Sequence, residues 1–228
     1  MRLIGIAGKA RHGKDSVAKI ISGYTGLETY ALADPIKQCI SEIFRLDERH
    51  THGHLKETKR WFFVPKMRHI VDTIEKYLGE YEDPLIEFDS GIFERHGPDA
   101  AYDMFVSSVL NNNTWFVYTS PRELFQKFGT DFGRKEYNDN IWLDLAPDEC
   151  IISDIRFENE AQYVRDNGGI IIHVDRENMP ETVVEEHSSE GGVEFKECDY
   201  KITNIDSDIW QEHLVKESSK IMKQINGE

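Results

Sequence analysis

The sequence predicts an α/β fold: a mostly parallel sheet with helices on both faces and a helical insertion. One observation is the order of segments at the start of the chain. The apolar run 3–7 leads into Gly8-Lys9-Ala10-Arg11-His12-Gly13-Lys14-Asp15-Ser16, and Val17-Ala18-Lys19-Ile20-Ile21 follows, which reads as buried strand, glycine-turned loop and helix. Further along, apolar runs at 150–154, 170–174 and 200–203 alternate with stretches of helical spacing, the pattern of strands joined by crossover helices. No G-x-G-x-x-G follows the first strand, which counts against a dinucleotide-binding fold.

The loop has a chemistry of its own. Two glycines separated by four residues and followed by lysine describe a turn whose backbone N–H groups wrap a polyphosphate, while the Lys14 ammonium reaches its outer phosphates. The helix that begins near Lys14 adds its positive dipole end. Asp15 stands where the usual pattern has Ser or Thr, and the hydroxyl comes one residue later at Ser16. The expectation is a phosphate-binding loop in a three-layer P-loop NTPase fold; an ordinary glycine turn is the alternative.

A chain of 228 residues fits one domain carrying an insertion, with room for a substantial core. Its 39% apolar and 30% charged residues are those of a globular, soluble protein, with no apolar run of membrane-spanning length. Charges within residues 1–20 interrupt any signal-peptide core. Cys39, Cys150 and Cys198 lie far apart without metal-ligand spacing, so buried thiols in a reducing cytoplasm are expected. A formal net charge of −15 excludes a duplex-binding face but not a small anionic ligand. The cations Arg2, Lys9, Arg11, Lys14 and Lys19 concentrate around the loop, against Asp15 alone.

In chain order, 23–26 is a turn and 28–32 a short strand. Asp34-Pro35 opens a helix as cap and first residue, with Ile36, Ile40, Ile43 and Phe44 at helical spacing. His50, His52 and His54 alternate in a polar segment, expected as an exposed loop rather than a metal site. Residues 66–78 and 100–110 read as helices, the second stopped by Asn111-Asn112-Asn113, and about 46–115 is taken as the insertion near the nucleotide site. Ser120-Pro121-Arg122-Glu123 is a capping box opening a helix that Gly129 ends. On it Leu124, Phe125 and Phe128 share one face and Arg122 and Gln126 another. Residues 138–145 read as a short helix bearing Trp142. The run 150–154 ends in Asp154, at the carboxyl end of a strand where ligands gather, although Asp154 is also placed to cap the helix starting about Phe157. Arg156 and Glu160 lie one turn apart and can pair. After the strand 170–174 come Arg176, an acidic segment at 175–193 read as a mobile cover, a strand at 200–203, and a helix at 206–225 with Ile209, Leu214, Ile221 and Ile225 inward.

Phosphoryl transfer to a small phosphorylated acceptor needs cations on the acceptor as well as the donor, and Arg122, Arg156 and Arg176 stand beyond strand ends or on a helix face. Several blocks together resemble the deoxynucleoside monophosphate kinases of tailed bacteriophages: Gly8 to Ser16, Ala33-Asp34-Pro35-Ile36-Lys37, Arg122 through Gly129-Thr130-Asp131, Trp142, Ser153-Asp154-Ile155-Arg156 with Glu160, and His187-Ser188-Ser189-Glu190. The resemblance spans nearly the whole chain and is weakest between about 46 and 115. It implies transfer of the γ-phosphoryl of ATP to a deoxynucleoside 5′-monophosphate with Mg²⁺. Gly8, Arg11, His12, Gly13, Lys14, Asp15 and Ser16 would then hold the donor phosphates, with Arg176 a further donor contact. Asp15, Ser16 and Asp154 would serve the metal. Arg122, Gln126, Gly129, Thr130, Trp142, Asp154, Arg156 and Glu160 would form the acceptor site, with Trp142 stacking on the base. Lys14, Arg122, Asp154 and Arg156 are the expected catalytic residues, and no general base is demanded because an acceptor phosphate is already a nucleophile near neutral pH. A phage-encoded enzyme of this kind works in the host cytoplasm, without nucleic-acid or membrane partners, and a homodimer is compatible with it. The alternatives are a kinase for another small phosphorylated acceptor, such as phosphomevalonate or dephospho-coenzyme A, and a non-enzymatic nucleotide-binding module.

Overall fold

The computed structural model describes residues 3–9, 11–79, 92–177 and 193–226, with the backbone alone at 92–97 and 226. The greater part of the 175–193 segment, including His187 to Glu190, and the loop signals of 81–91 lie outside the described residues. The chain divides into two compact units, Met1–Leu32 with Ala146–Glu228, and Ala33–Leu145.

The first unit is a five-stranded sheet. Strand β1 (Leu3–Ala7) is central, flanked by β5 (Cys150–Ile155) and β6 (Ile170–Arg176), with β2 (Thr29–Tyr30) and β7 (Tyr200–Asn204) at the edges. Every pairing is parallel, so the strands are buried on both faces and read as continuous apolar runs. Ile4, Ile6, Ile151, Ile172, Val174 and Ile202 pack under α1 (Lys14–Thr25) and α9 (Trp210–Asn226) through Val17, Ile21, Leu214 and Ile221. The helix α8 (Glu158–Asp166) covers the other face, where Val164 approaches Gly5 beside Ile155 and Ile171. Helices on both faces of a parallel sheet are the expected architecture. The last helix begins at Trp210 rather than 206, and Ile209, expected inward, is 58% exposed because it precedes the first turn.

A buried ion network closes the β6 to β7 connection. Asp199, whose side chain is 1% exposed, accepts both Nε and Nη2 of Arg165 at 3.0 and 2.7 Å, faces Nε2 of His173 at 3.0 Å and accepts the Lys196 N–H. Burial works to raise its pKa, but Arg165, the Lys196 amide and His173 together hold it down at about 2. A depressed carboxylate stabilises the fold above its unfolded pKa, about 3.9, and that contribution is lost as pH falls toward 2. Asp199→Ala is expected to cost about 3 kcal/mol at neutral pH, because Arg165 stays behind without this partner. Urea unfolding at pH 7 and at pH 3 checks this: the deficit of the variant should shrink at the lower pH.

Among the described residues the second unit is helical apart from one ribbon. In it α2 (Ala33–Phe44), α4 (Met67–Leu78), α5 (Ile92–Ser108), α6 (Pro121–Gln126) and the π-helix Lys127–Tyr137 pack on one another. Ile40, Ile43, Ile70, Ile74, Phe105, Leu124, Phe128 and Phe132 are its buried centre. The helix α2 starts at Ala33, so Asp34 lies in its first turn rather than at the cap. Positive φ at Asn111 and Asn112 ends the chain's approach from α5, as those residues suggest. Strands β3 (Arg60–Phe63) and β4 (Phe116–Thr119) form an antiparallel pair the sequence reading did not anticipate. His50, expected in an exposed loop, is buried in α3 (Glu48–Thr51), where its Nδ1 sits 2.6 Å from Asp47 in a capping arrangement. Cys39 and Cys150 are buried, while Cys198 is exposed.

Candidate active site

At the carboxyl end of β1 the chain turns through the glycine loop. Gly8 has φ +146°, and a Cβ there would strike the carbonyl oxygen of Val174 on β6; Gly13 has φ +101°, and a Cβ there would lie 2.8 Å from Nδ2 of Asn204. Neither place admits a side chain. His12 is buried, its Nδ1 3.3 Å from the Val174 carbonyl, and Nδ2 of Asn204 donates to its backbone oxygen at 3.1 Å. The expected contribution of His12 to phosphate binding is thus confined to its backbone, because the ring faces into the fold. Asn204, which the sequence reading missed, holds the loop from below; a polar residue ending the last strand was its only signal.

Gly13 is the N-cap of α1, and the Ser16 and Val17 amides already bond its carbonyl. The first amides of an α-helix come before any intrahelical acceptor, and this end of α1 also carries the positive pole of its dipole, which suits an anion. The Lys14 ammonium bonds the Gly8 and Lys9 carbonyls at 2.8 and 2.9 Å, so its charge lies across the loop. Asp15 and Arg11 are exposed and Ser16 half-buried.

Beside the loop, β5 pairs with β1 so that Ile155 lies opposite Ala7. Asp154 therefore stands at the same end of the sheet as Gly8. Its Oδ1 accepts the Leu32 N–H at 2.7 Å. At the start of α8 Glu160 takes the capping role, its Oε2 accepting the Arg156 and Phe157 amides at 2.8 and 3.0 Å. Glu160 is 5% exposed and meets Arg156 through the backbone. Arg156 itself is exposed. Arg176, at the end of β6, pairs with Asp206 at 2.9 Å.

In the second unit, Ser120 and Glu123 form the expected capping box, with Pro121 at the first helical position. Burial raises the Glu123 pKa, yet Lys59, the Thr119 hydroxyl and the Ser120 amide outweigh it and leave it below the usual range. Leu124, Phe125 and Phe128 are buried as the spacing predicts, while Arg122 and Gln126 are half-buried on another face. Nη1 of Arg122 meets Glu57 at 3.0 Å, and its backbone N–H bonds the Lys56 carbonyl. Glu57 was not legible as a partner, since 65 residues separate the two.

Gly129 does not end this helix. The chain continues as the π-helix Lys127–Tyr137, and Gly129 is buried where a Cβ would come within 2.8 Å of Ile36 on α2. A widened turn of this kind recurs at functional sites, and it carries Gly129, Thr130 and Asp131 together. Trp142 explains how the turn is held. On α7 (Ile141–Asp144), shorter than the expected 138–145, its ring is 4% exposed, its Nε1 donates to the Gly129 carbonyl at 2.8 Å, and Gly133 makes room for its edge. The expectation that Trp142 stacks on a base is corrected: the indole is a strut of the π-helix. Trp142→Phe is expected to cost about 1 kcal/mol through the lost hydrogen bond to the Gly129 carbonyl, read as a lower urea midpoint.

Among the described residues no cluster of three or more His, Cys, Asp or Glu could hold a metal alone. No helix among the described residues is long and apolar enough to cross a membrane.

A family model described as deoxynucleotide monophosphate kinase matches residues 2–62 and 87–214. Deoxynucleoside-5′-monophosphate kinase of Escherichia phage T5 is 27% identical over 230 residues, covering 89% of this chain and 89% of that protein. The deoxynucleotide monophosphate kinase of Escherichia phage RB69 is 25% identical, covering 98% of this chain and 100% of its own. That of Enterobacteria phage T4 is 25% identical, with 90% and 92% covered.

Proposed function

Because the chain belongs to the deoxynucleotide monophosphate kinase family, we infer that it transfers a phosphoryl group to a deoxynucleoside 5′-monophosphate, and we propose ATP as the donor and Mg²⁺ as the metal. The observation that carries the donor half is the loop itself: two positions closed to side chains, a helix starting at Lys14, and the Lys14 ammonium lying across the loop. In this reading the amides of Gly8 to Lys14 hold the β- and γ-phosphates, and the ammonium of Lys14 exchanges the Gly8 and Lys9 carbonyls for phosphate oxygens. Arg11 and Arg176 are peripheral donor contacts.

The donor set suits a hard cation. The hydroxyl of Ser16 and the carboxylates of Asp15 and Asp154 are oxygen ligands at one end of the sheet, and Mg²⁺ bound by one or two carboxylates with phosphates and water needs no further protein cluster. Held by these three residues, a bound Mg²⁺ would supply neutralisation of the charge on the transferring phosphoryl group. Asp154 also ties down Leu32, where the chain leaves the first unit, so it positions backbone as well.

For the acceptor, Arg122 is the residue whose guanidinium suits a 5′-phosphate, with Gln126 beside it and Gly129 and Thr130 on the widened turn. Arg156 is an exposed cation beyond β5 that compensates transferring charge. Rate then comes from positioning and charge neutralisation. The small-molecule partners are ATP and the monophosphate, the setting is a host cytoplasm, and the working species is a homodimer. Incubation with ATP and each of the four deoxynucleoside monophosphates, with phosphomevalonate and dephospho-coenzyme A beside them, tests this. ADP release and a diphosphate product only with the deoxynucleotides is expected; release only with another acceptor would overturn the substrate class.

A further inference from the structure

The ribbon β3–β4 has one face that the fold covers and one that it does not. Phe62, Val117 and Thr119 are buried. On the opposite side Trp61 lies across from Tyr118 and Phe63 across from Phe116, with ring centroids 5.2 and 4.7 Å apart. These rings are exposed at 68%, 56%, 76% and 45%, and Trp115, just before β4, at 78%. Taking about 200 Å² for each whole side chain, they leave on the order of 600 Å² of aromatic surface in water. That is at the top of the range for the largest apolar patch on a monomer, about 300–600 Å². It is also most of the about 800 Å² that each partner contributes to a stable interface.

We infer that the outer aromatic face of the β3–β4 ribbon is the surface through which two copies of this chain associate. The inference rests on the homodimer reading above and names its interface. Charge favours a second copy over a single-stranded nucleic acid, the other natural occupant of exposed aromatic rings. The outward positions of the two strands carry no charge. Of the cations close in sequence, Lys59 pairs with Glu123 at 2.8 Å, Arg122 with Glu57 and, at the surface, Arg68 with Asp72 at 3.6 Å, Arg60 stacks over Phe62, and the exposed Lys66 follows β3. A strand-tracking groove needs cations turned to phosphates. Two molecules of net charge −15 repel over most of their surface, so a charge-compensated apolar face is where they can meet. The geometry also suits a two-fold contact, since among the described residues the sheet has two strands and each keeps an edge outside this pairing.

Light scattering after size exclusion, over a dilution series and without nucleotide, reads the mass independently of any turnover. The wild-type chain is expected to be a dimer, and the double variant Trp61→Ser with Phe63→Ser to dissociate at least about 100-fold more readily with an unchanged circular dichroism spectrum. Phe116→Ser with Tyr118→Ser, on the other strand, should behave alike. A wild-type monomer overturns both the homodimer and its interface. A wild-type dimer whose constant neither variant moves overturns the interface alone. Quenching of tryptophan fluorescence by oligodeoxythymidylate in a monomeric wild-type chain would assign the face to nucleic acid instead.

Discussion

Lys14→Ala is expected to lower kcat by about three orders of magnitude, equivalent to about 4 kcal/mol of transition-state stabilisation, with the fold intact. The size follows from position. Lys14 is the first residue of α1 and its ammonium lies over the Gly8 and Lys9 carbonyls, where donor phosphates would carry their charge. Removing it deletes two part-exposed hydrogen bonds, which cost little, while the loop keeps the struts that shape it: the ring of His12 against Val174 and the amide of Asn204 on the His12 carbonyl. Steady-state kinetics together with an unfolding midpoint separate the two effects. Near-normal turnover would remove the loop from the chemistry.

Arg122→Ala should act on the other substrate. A fall of about 100-fold in kcat/KM for the monophosphate, with ATP affinity unchanged, is the expected result for a charge-assisted contact to the acceptor phosphate. In the structure the guanidinium is held by Glu57 at 3.0 Å, half-exposed, so the phosphate must compete with a carboxylate that the screening of water already weakens. Glu57→Gln is therefore expected to lower the KM for the monophosphate about two- to threefold, the reverse of the arginine variant. Isothermal titration with each nucleotide separately checks both. An equal loss at ATP and monophosphate in Arg122→Ala would place that arginine elsewhere.

The parts of the molecule that follow local rules are the parts the sequence makes plain. The buried strands β1, β5 and β6 are continuous apolar runs because a parallel sheet hides both their faces, and the glycine loop is legible because Gly8 and Gly13 have no substitute at their φ angles. The capping box of Ser120 and Glu123 is equally local. What escaped depends on contacts distant in sequence. The helix did not stop at Gly129 because that glycine serves the approach of Ile36, not a left-handed turn. Trp142 reads as a polar-tipped aromatic suited to a base until the Gly129 carbonyl is seen to occupy its Nε1. Glu160 reads as the partner of Arg156 until its carboxylate is found on two amides of its own helix start. The ribbon was missed for another reason. Arg60-Trp61-Phe62-Phe63 lacks polar residues at its outward positions, so the alternation that marks a half-buried strand is absent.

The most direct test follows the phosphoryl group itself. With ATP labelled in its γ-phosphate, Mg²⁺ and a deoxynucleoside monophosphate, the label is expected in the β-phosphate of a deoxynucleoside diphosphate, with no release when the monophosphate is left out. Label appearing as inorganic phosphate at a rate independent of the monophosphate would contradict a kinase and leave a hydrolase in its place.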